Sequence, residues 1–248
     1  MATFCDKHNG VSDVLSLSYR LPVTVHAASQ ELIRKVTRRV DKEFSSRGHE
    51  GLLRVHGSIN SVKIDPREDT LLLGRTHSVL RDFEQSIVEQ RIPYTRTSGR
   101  PGLYQNRYAS AVRVFRKICA GSTITEAERT ALFTVATTQG KKIIESGDFK
   151  KLTGSPFYAH LNIPARWVEF YREADLDTKP SLRLSTIHGS KGGQAHRVIL
   201  LTDMTQRVAE NCDKNPDDEH RVFYVGMTRA MNTLDIVEGY NGFKVIGG

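Results

Sequence analysis

Cysteine and long apolar segments are both scarce in this chain. The three cysteines, Cys5, Cys119 and Cys212, are odd in number and far apart. They match neither a disulfide framework nor a zinc site, so we expect reduced thiols and no bound metal. The apolar run at residues 198–201 is far shorter than the roughly 20 residues that cross a bilayer. Polar residues at positions 6–8 stand where a signal peptide would be apolar, which favours a cytoplasmic protein with no membrane partner.

An excess of basic residues is the main feature of the composition. The 248-residue chain contains 36 lysines and arginines against 28 acidic residues, which gives a net charge of +8. Such a charge indicates an anionic partner, and nucleic acid is the commonest one. A basic, well-solvated surface is the alternative, and charge alone leaves both open. Because apolar residues make up 38% of the chain, we expect a soluble, globular protein of one large domain or two small ones.

Strand and helix patterns alternate along most of the chain. Short apolar runs predict strands at residues 52–56, 70–74, 92–95, 182–187, 198–202 and 234–237. Helical spacing of apolar residues predicts helices at residues 22–44, 80–88 and 105–118. The alternation predicts an α/β fold in which helices flank a parallel sheet.

The middle of the chain has a different pattern. Residues 119–178 contain two helical patterns, at 126–145 and 165–174, and no convincing strand. We therefore predict one α/β domain, formed by residues 1–118 and 179–248, that is interrupted by a short helical insertion at 119–178.

A helix with clear start signals precedes the last predicted strand. Asn215 is a suitable N-cap, Pro216 fits the first helical position, and three acidic residues follow. Arg229 stands at the end of this helix, where an arginine can extend from the sheet edge toward a phosphate. The alternative, an arginine that only complements the helix dipole, is equally consistent with this segment alone.

Other polar residues stand at the ends of predicted elements. Arg20 precedes a helix, where a cation opposes the helix dipole and so indicates a nearby anion. Arg75, Thr76 and His77 follow a strand and form a polar edge of the type that holds single-stranded nucleic acid. A glycine-rich turn at residues 186–194 follows another strand, and its backbone N–H groups can approach phosphates. An ordinary tight turn is the alternative there, because the P-loop motif occurs nowhere in the chain.

Four segments, in this order, resemble motifs of the UvrD/Rep-like superfamily 1 DNA helicases. Residues 18–20 (SYR) are similar to the NYR of that family, and residues 75–77 (RTH) to its RTN. Residues 186–194 (TIHGSKGGQ) are similar to its TLHxAKGLE, and residues 218–230 to its EERRLxYVxxTRA. The resemblance covers most of the chain and implies the second, C-terminal RecA-like domain of such a helicase, with a P-loop NTPase-like fold.

The resemblance implies an ATP site that is shared with another domain. Arg20 and Arg229 correspond to arginine fingers that reach the γ-phosphate of ATP, which binds with Mg²⁺, across a domain interface. Gly192 and Gln194 correspond to residues beside the nucleotide. Gln194 stands where the family has a glutamate on the ribose, and its amide can accept a hydrogen bond but carries no charge.

The resemblance also implies a track for single-stranded DNA, or for a strand that leaves a duplex junction. The residues that correspond to strand contacts are Tyr19, Arg75, Thr76, His77, Thr186 and His188. Among these, His77 takes the place of an asparagine in the family motif.

The first half of such a motor is missing from the sequence, which has no Walker A lysine and no acidic pair for Mg²⁺. We therefore expect the C-terminal part of a larger ATP-dependent DNA helicase, inactive alone and completed by the N-terminal RecA-like domain of the same helicase. Two alternatives stay open: a non-catalytic nucleic-acid-binding module with a RecA-like fold, and a different α/β nucleotide-binding enzyme with Lys191 on the phosphates.

Overall fold

A computed structural model describes residues 16–39, 41–156, 159–240 and 242–247. Cys5 lies outside these residues. The described residues form one sheet of six strands: β1 (Leu52–His56), β2 (Thr70–Gly74), β3 (Thr95–Arg96), β4 (Leu182–Thr186), β5 (Ala195–Leu201) and β6 (Ala230–Val237). Their order across the sheet is β1-β6-β5-β2-β4-β3, and every pair is parallel. The predicted α/β class with a RecA-like parallel sheet is confirmed.

Nine α-helices occur in the described residues. They are α1 (Val23–Arg34), α2 (His77–Glu89), α3 (Arg107–Cys119), α4 (Glu126–Val135), α5 (Thr138–Ser146), α6 (Phe149–Thr153), α7 (Ala165–Glu173), α8 (Gln206–Lys214) and α9 (Pro216–Met227). None of the described helices has the length and apolarity of a bilayer span.

The helices cover the two faces of the sheet, and each face has its own apolar core. Alternate side chains of β2 point to opposite faces: Leu71 and Leu73 belong to the core under α1 and α9, and Leu72 belongs to the core under α2 and α3. All five residues of β2 are buried, as expected for a strand with neighbours on both sides and helices on both faces.

The predicted insertion at 119–178 is helical in the structure. It forms α4 to α7 and packs against α3, with no strand among its described residues. The single helix predicted at 126–145 is wrong, because Ala136 adopts an extended conformation and forms an isolated bridge with Leu161. Thr137 then caps a new helix, α5, by accepting a hydrogen bond from the Gly140 N–H.

Two other predicted boundaries need correction, and one helix was missed. The first helix ends at Arg34 and not near residue 44, because the buried Asp217 carboxylate accepts hydrogen bonds from the backbone N–H groups of Thr37 and Arg38 and turns the chain. The strand predicted at 92–95 pairs with β4 only at 95–96. Helix α8 was not predicted, because most of its residues are polar and none of them is buried.

Candidate functional site

The carboxyl ends of β2, β4 and β3 meet at one edge of the sheet, and most of the predicted strand contacts lie there. Gly74 at the end of β2 is in register with Thr186 at the end of β4. The backbone N–H of Ile187 donates to the Gly74 carbonyl at 3.0 Å. Ligands of open parallel sheets bind at this kind of edge.

Arg75 is held within the chain by an ion pair. Its Nε and Nη2 donate to the two carboxylate oxygens of Glu219 on α9, at 2.7 and 2.8 Å. The hydrogen bond to Glu219 raises the pKa of Arg75. Since Glu219 is buried, this pair ties the end of β2 to the first turn of α9 and uses the planar fork that a phosphate would otherwise occupy.

Thr76 and His77 form the start of α2. The Thr76 hydroxyl caps the helix by accepting from the Val79 N–H at 3.3 Å. His77 is exposed, and its Nδ1 lies 3.3 Å from Nη2 of Arg96. Arg96 also donates to Glu84 at 3.0 Å, so His77 is positioned by a paired arginine.

Thr186 and His188 stand where β4 ends. The Thr186 hydroxyl accepts from the Gly189 N–H at 3.0 Å, and it can donate its own proton onward. His188 lies in a 3₁₀ turn, and its ring is exposed. These two residues therefore share the sheet edge with His77, and Thr186 is buried there whereas His188 is exposed.

Thr97 and Ser98 belong to the same edge and were missed from the sequence. The Thr97 N–H donates to the Leu184 carbonyl at 3.0 Å, and Ser98 Oγ lies 3.5 Å from Ser185 Oγ. Gly189 allows this approach, since a Cβ there would lie 2.8 Å from Ser98 Oγ. A run of Thr and Ser after a short strand was the available signal, but the strand itself was misplaced.

The connection between β4 and β5 leads from this edge to the opposite one. Ile187 and Ser190 are buried, whereas Lys191, Gly192 and Gln194 are exposed. Gly192 has a φ of +82°, which a glycine adopts without strain. The connection thus places its glycines and Gln194 beside the start of β5.

Arg229 fixes the end of this connection. Its Nη1 donates to the Gly193 carbonyl and its Nε to the Val225 carbonyl, both at 3.1 Å. The Arg229 carbonyl accepts from the Ala195 N–H, so backbone and side chain both contact the segment that contains Gln194. Arg229 at the end of α9 therefore lies next to the glycine-rich turn.

Arg20 and Arg229 are two partly buried cations close together. Burial lowers the pKa of Arg229, and the nearby positive charge of Arg20 lowers it further. Burial also lowers the pKa of Arg20, against a smaller opposing effect of the Tyr224 phenol. Both guanidinium groups stay charged at neutral pH. Within the described residues neither arginine pairs with a carboxylate, and the buried Nε of Arg20 has no hydrogen-bond partner.

Tyr19 points away from the core and is 83% exposed. An exposed aromatic ring beside a buried apolar Leu21 is available to a partner, but it has no contact that fixes its direction. The structure therefore brings Arg20, Arg229, Gly192 and Gln194 to one region and Thr76, His77, Thr186 and His188 to another.

Residues 169–238 match the family model of the UvrD-like helicase C-terminal domain. No curated protein matches the chain. The matched segment contains β4, β5, α8, α9 and β6, and with them both the glycine-rich connection and Arg229. The resemblance to a UvrD-like helicase C-terminal domain is thus confirmed for residues 169–238.

Proposed function

We propose that the chain is the second motor domain of an ATP-dependent DNA helicase and that Arg20 and Arg229 act as its arginine fingers. The observation that carries this proposal is the pair of partly buried guanidinium groups without a carboxylate partner among the described residues. Burying two cations side by side is costly unless an anion completes the site. The γ-phosphate of ATP supplies that anion.

The residues fit a polyphosphate. Arg20 has an unused donor at its Nε, and Arg229 has its Nε and Nη1 fixed by carbonyls, which leaves the other N–H groups of both forks for phosphate oxygens. Mg²⁺ would be held with the phosphates by an N-terminal RecA-like domain. In this arrangement Arg20 and Arg229 stabilise the charge that develops on the transferred phosphoryl group.

The exposed side chains at the carboxyl edge suit a single strand. His77, Thr97 and His188 are exposed at the ends of three neighbouring strands, and hydroxyl and imidazole groups can donate to phosphate oxygens. Arg75 supports this edge through its ion pair with Glu219, and we expect it to make no contact with the DNA. We expect single-stranded DNA to cross the sheet edge along these residues.

One short connection links the two sites. Residues 187–194 lead from the end of β4 to the start of β5, which are separated along the strand direction by roughly 20 Å, the rise of six strand residues. Ile187 and Ser190 anchor its middle, Thr186 and His188 stand at the strand end, and Arg229 holds the nucleotide end. A shift of this segment on ATP binding would therefore move residues that contact the strand.

The experiment that tests the proposal measures DNA-stimulated ATP turnover of the chain combined with the N-terminal RecA-like domain of a UvrD-like helicase. We expect turnover with the unmodified chain and a loss of about 10³-fold or more with Arg229→Ala, the lower end for arginine fingers. Arg207→Ala is the matched control, because Arg207 is an exposed arginine on α8.

Two results would count against the motor. Turnover that does not appear with the unmodified chain would favour the non-catalytic nucleic-acid-binding module, provided that the chain still binds a single strand. If ATP turnover is the same for Arg229→Ala and Arg207→Ala, Arg229 does not act at the ATP site.

A further inference from the structure

Two arginines and two aromatic rings form a continuous stack on the surface between α3 and α7. The Arg107 guanidinium carbon lies 4.9 Å from the centre of the Tyr108 ring. That ring meets the Trp167 ring edge-on at a centroid distance of 5.5 Å, and the Arg166 guanidinium carbon lies 5.0 Å from the Trp167 ring. All four residues stand in the first turns of their helices.

The stack is open to solvent. Arg107 and Arg166 are exposed, and Tyr108 and Trp167 are half-buried. Within the described residues neither arginine pairs with a carboxylate. A cation in the first turn of a helix also opposes the helix dipole. The two arginines contact the rings, and Arg107 also donates to the Tyr108 hydroxyl at 2.9 Å, but neither charge is neutralised by a carboxylate among the described residues, which leaves both available to an anionic partner.

A groove lies between α2 and the Arg166–Trp167 end of this stack. Trp167 and Arg166 line one wall of the groove, whose volume is about 520 Å³, and Glu84 and Val88 of α2 line the other. Glu84 accepts from Arg96, which in turn lies beside His77. The mostly buried pair Glu84–Arg96 thus lies between the groove and the exposed His77 at the end of β2.

We propose that the stack Arg107–Tyr108–Trp167–Arg166 is a second contact for single-stranded nucleic acid, at which bases stack on the two rings and phosphates meet the two arginines. This inference rests on the proposed function, since it extends the track for the strand beyond the sheet edge. Aromatic rings flanked by arginines bind bases of any sequence, because every base has a π-face.

The acidic residues of the groove decide between a single strand and a duplex. Asp82, Glu84 and Glu89 lie on the wall formed by α2. A duplex would bring a row of phosphates against these carboxylates, whereas an unpaired strand can turn its bases into the groove and its phosphates toward Arg107 and Arg166. The carboxylates of the groove therefore favour an unpaired strand over a duplex.

Trp167 is the only tryptophan in the chain, so its fluorescence reports on this surface alone. The experiment titrates the full chain with an oligothymidine of about 20 nucleotides and with a duplex of equal length, following tryptophan emission and the anisotropy of a label on the DNA. We expect the single strand to quench Trp167. We expect Arg107→Ala combined with Arg166→Ala to weaken binding about 5- to 100-fold and to reduce the slope of log K against log salt by about 2, because each arginine meets a phosphate.

Arg207→Ala, at an exposed position on α8, which packs mainly against α9, is the control and should bind as the unmodified chain does. Binding by anisotropy with unchanged Trp167 emission and unchanged affinity of the double variant would overturn this inference and leave the proposed function standing. Quenching by the duplex alone would overturn it as well. Failure of the chain to bind any single strand would overturn both proposals.

Discussion

The ion pair between Arg75 and Glu219 gives a sharp prediction about stability. Glu219 has a side chain that is 6% exposed, and that of Arg75 is 20% exposed. Exposed ion pairs contribute about 0–1 kcal/mol, whereas removal of one partner from a buried pair costs about 3–5 kcal/mol. Since the Arg75 side chain keeps some contact with water, we expect Glu219→Ala to lower the free energy of unfolding by about 2–4 kcal/mol.

Asp218→Ala is the matched control for this change. Asp218 is the neighbouring carboxylate in the same first turn of α9, its side chain is 67% exposed, and it pairs with the exposed Arg221. Both substitutions remove one charge from the same helix start, a contribution of about 0.3–1 kcal/mol. Asp218→Ala should therefore cost about 1 kcal/mol or less.

The assay is urea unfolding followed by circular dichroism. An unchanged slope of the unfolding free energy against urea concentration would show that only stability has altered. The reasoning would be refuted if Glu219→Ala cost no more than Asp218→Ala.

A second measurement separates the two roles considered for Arg75. If Arg75 contacted a phosphate, Arg75→Ala would reduce the slope of log K against log salt for DNA by about 1, and we expect no such change.

Three further predictions concern the sheet and its edge. Asp235→Asn should lower the free energy of unfolding by about 3–5 kcal/mol, measured by urea unfolding at pH 7. Burial acts to raise the pKa of Asp235, but hydrogen bonds from two arginines and a histidine hold this pKa below its usual range. The unmodified chain should therefore lose stability as the pH falls below about 4, and the variant should lack that loss. Gly226→Val should lower the melting temperature, with a cost of about 1–3 kcal/mol, because a Cβ there would lie 2.9 Å from Leu200 Cδ1; an unchanged melting temperature would contradict the close packing of α9 on β5. His188→Ala should weaken single-strand binding by anisotropy without changing the melting temperature, and an unchanged affinity would exclude His188 from the track.

The parts of the fold that were predictable are those with strong local signals. The apolar run of β2 and the Asn215–Pro216 start of α9 follow from local chemistry, and both are where the sequence predicts them. Alternation of such segments was enough for the α/β class. The end of α1 was not predictable, because Asp217 reaches residues 37 and 38 from 179 or more positions away.

The candidate site was predictable as a set of residues and not as a set of contacts. Arg20 and Arg229 could be chosen from their positions, but their mutual proximity depends on how α9 packs beside the start of α1. The pairing of Arg75 with Glu219 across 144 positions was equally hidden, so an arginine that looked available is engaged. Long-range pairs of this kind leave no local pattern in one sequence.

The central claim is that Arg20 and Arg229 meet the γ-phosphate. The most direct measurement compares the affinities of ADP and a non-hydrolysable ATP analogue for the chain combined with the N-terminal RecA-like domain of a UvrD-like helicase. For Arg229→Ala we predict a loss of about tenfold or more in affinity for the ATP analogue, equivalent to about 1.4 kcal/mol for a charged hydrogen bond, with the affinity for ADP unchanged. Equal losses for the two nucleotides, or none for either, would contradict the claim.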